Sequence, residues 1–291
     1  MNQDGKRVRR SAERGRPANV RLFLMTAAVV LVLVGARLFL DMVWPMKTAE
    51  KLPPVVTEQV DGSTSQEELP PQKEPSAKEK LEYIRTSGKY PDQLVKMAER
   101  HEETLEFVYA YPEKKDLTPD IDLTEEAKAG EVPLLMQWDE RWGYREYAGG
   151  VMGCSGCGPT CLSMAALYLT HDPAQTPLKA AELAERWGYD VQGQGSAWTL
   201  FSEGSRLMGL HPEELPLDRG KMVKALDQGK LLILSVGQGD FTQSGHYLVV
   251  TGYTKKGFTI NDPNSRENSQ KIWPYSKLEG QIKNIWSLSA R

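Results

Sequence analysis

All three cysteines of the chain fall within ten residues, in the run Met-Gly-Cys-Ser-Gly-Cys-Gly-Pro-Thr-Cys from Met152 to Cys161. Thiols so spaced serve a metal site, a redox pair, a disulfide with one thiol to spare, or a single nucleophile with two bystanders. Cys154 and Cys157 have the Cys-x-x-Cys spacing of metal ligands, but a structural zinc needs a second pair. No cysteine lies elsewhere, and the four histidines, at 101, 171, 211 and 246, are scattered singly. No metal or organic cofactor is therefore expected. A thiol–disulfide site sits between strand and helix of a βαβ unit, whereas here the preceding residues are glycine-rich and the strand-like segments come late. Cys161 is four residues after Cys157, on a helix face continued by Ala165 and Tyr168, and reads as core.

Cys157 differs from its neighbours in its setting. Gly-Cys-Gly-Pro-Thr places it at the mouth of a helix, where the dipole and unclaimed N–H groups favour a thiolate. The flanking glycines let a substrate backbone come close. A thiolate nucleophile also needs a group that holds and returns a proton. His101 lies in a charged helical stretch and reads as solvated surface; His171 follows a helix end, and His211 precedes Pro212 in a loop. His246, in Thr-Gln-Ser-Gly-His-Tyr-Leu-Val-Val, heads an apolar strand, and Asp262 lies 16 residues later at the end of the next. Antiparallel neighbours can set such a histidine and aspartate side by side, where the carboxylate orients the ring and favours the imidazolium. Taken singly, a strand histidine such as His246 is more often structural than catalytic, and Asp262 reads well as a turn residue before Pro263. The three together point to a nucleophile, a base and an orienting group.

These residues need a scaffold, and the stretch from Val132 to the C-terminus supplies one. Helical patterns are read at 158–170, 178–187, 196–208 and 219–226, followed by strands at 231–237, 246–253 and 257–263, a short Lys-Ile-Trp and a closing Asn-Ile-Trp-Ser-Leu. Helices first and strands later predict an α+β domain over 131–291 rather than a doubly wound sheet. Residues 78–130 carry short amphipathic helices with strongly charged outer faces, either a small pre-domain or a spacer packed on the α+β domain. Residues 44–77, rich in Pro, Glu, Lys and Ser, read as a linker.

The N-terminus sets the expected location. Seven Lys and Arg in residues 1–21 lead into an apolar run, Leu22–Leu40, interrupted by one charge, Arg37. About twenty apolar residues span a bilayer as a helix, and a basic flank stays in the cytoplasm. A transmembrane signal-anchor over 22–43 is expected, with the C-terminal bulk extracytoplasmic. The competing reading is a signal peptide cleaved near Val34-Gly35-Ala36, with the same outward location. A net charge of −3 gives no sign of nucleic-acid binding.

From Val132 onward, "VPLLMQWDERWG", "SGCGPTCLSMAALYLT", "SVGQGDFTQSGHYLVVTGY" and "INDPNS" resemble the C39-like, bacteriocin-processing-like branch of the papain-like cysteine peptidases. The resemblance implies a papain-like fold and a peptide or protein substrate, with Cys157 as nucleophile, His246 as base and Asp262 orienting it. It also implies an oxyanion-binding glutamine upstream of the cysteine. Gln137 is the candidate, at 20 residues before Cys157 rather than the usual short spacing. Export-coupled leader cleavage is not carried over, because the chain shows no ATPase motif and its anchor points the domain outward. Two alternatives stay open: an amidase or endopeptidase acting on peptidoglycan stem peptides with the same triad, and a non-catalytic surface module of the same fold.

Overall fold

Leu231–Val236 is apolar at every position but Ser235, and all six residues are buried. A strand can use such a run only if both faces of its sheet are covered. In the computed structural model, which describes residues 74–291, this strand is central to a six-stranded antiparallel sheet. The strands are β1 (Leu210–Glu214), β2 (Leu231–Val236), β3 (His246–Thr254), β4 (Gly257–Asn261), β5 (Ile272–Trp273) and β6 (Ile282–Ala290), in the spatial order β1-β6-β2-β3-β4-β5. The helices are α1 (Ala77–Thr86), α2 (Asp92–Arg100), α3 (Leu105–Lys114), α4 (Thr124–Lys128), α5 (Cys157–Thr170), α6 (Pro177–Trp187) and α7 (Arg219–Asp227), with several shorter turns.

Alternation along the strands divides the interior into two cores. Leu231, Ile233, Tyr247 and Val249 pack with Cys161, Leu162 and Ala165 of α5. Leu232, Leu234, Leu248 and Val250 pack with Met222 and Ala225 of α7 on the other side. Helix α5 is buried from Gly158 through Leu167, so the element that carries Cys157 is the central helix of the domain. The α+β expectation holds.

Three local expectations are corrected. The helix expected over 196–208 is a π-turn, Leu200–Gly204, running into Ser205–Leu207. Its expected start is held elsewhere: the Ser196 hydroxyl meets Tyr147 OH at 2.6 Å, and the Ser196 carbonyl accepts from Tyr247 OH at 2.8 Å. His211-Pro212, expected in a loop, lies in edge strand β1, where a proline is tolerated because one side of the strand needs no partner. The closing strand is nine residues long because β2 and β1 flank it on either side. The basic tail over 1–21, the anchor expected over 22–43 and most of the linker lie outside the described residues. Among the described residues, no helix is long and apolar enough to cross a membrane.

Helices α1–α3 share their core with the segment that leads to Cys157. Ile84, Leu94, Phe107 and Val108 pack with Met136, Trp138, Tyr144 and Val151. The Phe107 ring stacks on Tyr144 at 4.4 Å and 3°. It fills a slot that exists because two neighbours are glycines: a Cβ at Gly143 or Gly153 would approach the ring to 2.8 or 2.7 Å. The helical segment thus inserts an aromatic ring under the turn Met152–Ser155 that precedes the cysteine helix. Replacing Phe107 with Ala is expected to cost about 3–5 kcal/mol, read as a lower urea midpoint by tryptophan fluorescence. A loss under about 1 kcal/mol would show that α3 is only attached to the domain.

Candidate active site

Cys157 is the first residue of α5, and its N-cap, Gly156, supplies no side-chain cap. The first-turn N–H groups of a helix have no intrahelical acceptor, so they stay available next to the sulfur. Gly158 has a steric reason: a Cβ there would collide with the Ser196 side chain. His246 opens β3, paired with Val236 of β2, and Asp262 directly follows β4. Because β3 and β4 are antiparallel neighbours, the head of one and the tail of the other meet at the same end of the sheet.

There the His246 ring places Nε2 2.7 Å from Asp262 Oδ1, with side chains 7% and 1% exposed. The other ring nitrogen, Nδ1, is not used by Asp262, and Cys157 lines the same cleft as His246. Asp262 also accepts from the Asn264 backbone N–H at Oδ1 and from Asn268 Nδ2 at Oδ2, each at 2.9 Å. Burial works to strip the proton from His246. The charge and hydrogen bond of Asp262, together with the Cys157 sulfur, outweigh it and raise the imidazole from 6.5 to about 10. Burial likewise opposes ionisation of Asp262, yet the imidazolium and the hydrogen bonds hold its carboxyl below the ordinary range.

Gln137 reaches the same cleft despite its distance in sequence. Its backbone N–H donates to Pro263 O and its Nε2 to Gly153 O, both at 2.7 Å. One Nε2 hydrogen is thereby left over, and Oε1 is buried without a partner among the described residues. The nearby tryptophans are structural: the Trp142 indole N–H donates to Met136 O, and that of Trp138 to Asn264 O. All three thiols are free. Cys161 is wholly buried in the α5 core and its thiol is pushed well up by burial. Cys154 lies with Sγ 3.7 Å from Met97 Sδ, and burial raises it to about 12. His171 caps the end of α5 in a left-handed conformation.

Cys157, His246 and Gln137 line one cleft of about 810 Å³. One wall is the loop Gly239–Gly245, and another is the α2 face that carries Gln93, Lys96, Met97 and Arg100. His101, expected as solvated surface, is half-buried at this cleft, with Nε2 3.5 Å from Asn264 Nδ2. Sequence reasoning missed that contact, the α2 wall and the asparagine supports of Asp262. The spacing of Gln93, Lys96, Met97 and Arg100 does place them on one helix face, but nothing in the sequence says what that face meets. Among the described residues, no cluster of three or more His, Cys, Asp or Glu could hold a metal ion.

A thiol at a helix mouth beside a buried imidazole–carboxylate pair is the layout expected of an α+β thiol hydrolase. Residues 130–290, more than half of the chain, match the Peptidase_C39 like family, and the chain belongs to that family. Among solved structures, the peptidase domain of Streptococcus ComA, a bi-functional ABC transporter involved in a quorum-sensing pathway, is similar at 19% identity and a TM-score of 0.38, over 47% of this chain and 93% of that one. A Bacillus anthracis protein described as a C39-like peptidase is similar at 16% identity and a TM-score of 0.35, over 60% of this chain and 98% of that one. Among curated proteins nothing matches.

The ion pair has a pH signature. The raised His246 contributes stability in full below about 6.5 and loses it as pH rises through about 10. The lowered Asp262 contributes in full above about 3.8 and loses it as pH falls through its lowered value. The His246 ring is expected to stay protonated at pH 8 by NMR in the wild type. In Asp262→Asn, where the largest contribution that opposes burial is gone, its titration should move down from that of the wild type. An unchanged titration in the variant would dissociate the two residues.

Proposed function

We propose that the chain is a membrane-anchored cysteine peptidase whose catalytic domain lies outside the cytoplasm. The observation that carries the hydrolytic reading is the buried His246–Asp262 pair beside a helix-mouth thiol in one open cleft. The Cys157 thiolate attacks the peptide carbonyl carbon, and the C=O π electrons move to oxygen. That oxyanion is met by the Cys157 backbone N–H and the spare Nε2 hydrogen of Gln137. His246 gives its proton to the departing amine, and the C–N bond breaks to leave a thioester. The neutral imidazole then takes a proton from water, which attacks the thioester and releases the acid and the thiol. Asp262 holds the ring and its positive charge through the cycle. The location rests on the basic residues that precede the apolar run Leu22–Leu40.

Alkylation of the full chain in detergent, followed by mass spectrometry, tests the nucleophile. Cys157 should react fastest of the three thiols near pH 6 and slow at least about tenfold in His246→Ala. Equal reactivity of Cys154 would overturn the assignment. Cys157→Ala should abolish hydrolysis, and Gln137→Ala should lower kcat by about 10²–10³ with little change in KM. On intact cells, a membrane-impermeant maleimide should label Cys157. Labelling only after lysis would place the domain inside.

A further inference from the structure

Helix α2 turns four residues to the cleft of Cys157 and His246: Gln93, Lys96, Met97 and Arg100. Met97, buried against Cys154, fixes the rotation of the helix. Lys96 and Arg100 stand one turn apart beside it, exposed and, among the described residues, without an ion-pair partner. Four other cations of the same segment are matched, Lys80 with Glu106, Arg85 with Glu99, Lys114 with Glu140 and Lys115 with Asp116, whereas Lys78 and Lys89 have no carboxylate partner among the described residues.

Asp240 is the one carboxylate among the residues that line the cleft, and Arg100 also borders a neighbouring pocket with Glu102, Glu103 and Glu267. Asp240, on the facing loop, accepts from Gln281 Nε2 at 2.7 Å. Glu103 accepts the Arg266 backbone N–H at 3.1 Å. Two like charges spaced i, i+4 on a helix are mildly destabilising, and an anion held between them would reverse that sign.

We propose that Lys96 and Arg100 form a carboxylate-binding subsite, so that the substrates are peptides with an Asp or Glu side chain near the scissile bond. This deepens the peptidase reading and rests on it. Arginine offers a planar fork that matches a carboxylate, and lysine adds a mobile point charge. The specificity determinant is therefore carried by the helical segment, which lies before the residues that match the family.

The test uses the full chain in detergent, as wild type, as Lys96→Gln/Arg100→Gln and as the exposed-surface control Lys78→Gln. A proteome-derived peptide library, read by mass spectrometry, gives the cleavage sites. Matched peptides with Glu or Gln at the selected position then give the kcat/KM ratio. The wild type should enrich Asp and Glu at one position near the cleaved bond. The Glu-to-Gln ratio should fall about tenfold in the double variant, the scale of a charged hydrogen bond, and hold in the control. Cleavage without acidic selection, or equal selection in wild type and double variant, overturns the subsite.

A second measurement separates this from failure of the hydrolytic reading: the rate ratio of iodoacetate to iodoacetamide at Cys157. A lower ratio in the double variant supports the anion subsite even if the wild type cleaves no peptide, in which case only the peptidase reading falls. An unchanged ratio shows that the two cations do not act on anions reaching the thiol, and overturns the proposal whatever the hydrolysis shows.

Discussion

The structure depends on an imidazole and a carboxylate 2.7 Å apart and nearly free of solvent. A buried ion pair is tolerated only when hydrogen bonds satisfy what water would have satisfied. Asp262 meets that condition through the Asn264 N–H and Asn268 Nδ2, both in the loop after β4. The loop is itself pinned: Ser269 Oγ accepts from the Asp262 N–H, the Trp138 indole N–H donates to Asn264 O, and Glu103 accepts from the Arg266 N–H. Arg266 lies over the Trp138 ring at 4.2 Å.

Several of those supports come from helices that precede the family match, which begins at residue 130. Phe107 fills the slot beneath the Met152–Ser155 turn, Met97 touches Cys154, and Glu103 and His101 reach the loop after β4. These helices build a third core together with Met136, Trp138, Tyr144 and Val151 of the segment that leads to the cysteine helix. They consequently both steady the site and form a wall of its cleft. Helices α1–α3 thereby pack directly against the residues that precede Cys157.

The three cysteines show how far position outweighs residue type. They are spaced three and four residues apart, yet their surroundings differ completely. Cys161 faces the sheet and is core, and Cys154 faces α2 and is shielded by Met97. Cys157 alone stands at the mouth of the long helix α5 in the cleft that His246 also lines. Both shielded thiols are raised by burial, which keeps them protonated and poor nucleophiles.

Features that are local or periodic were legible in the chain alone. Gly-Cys-Gly-Pro marks the helix mouth, the long apolar runs mark strands, and the order of elements makes the domain α+β. Cys157, His246 and Asp262 were legible because strand ends and helix starts are local features, and antiparallel order brings such ends together. Contacts between distant segments were left to tertiary packing. Gln137 enters the cleft because its backbone is tied to Pro263, 126 residues away in the chain. The π-turn at Leu200–Gly204 and the edge strand at His211-Pro212 arise from partners that no local pattern specifies. The α2 stripe was visible as a helix face, but a face carries no record of what it meets. That is settled by packing, where Phe107 finds two glycines and leaves Lys96 and Arg100 turned toward the thiol's cleft.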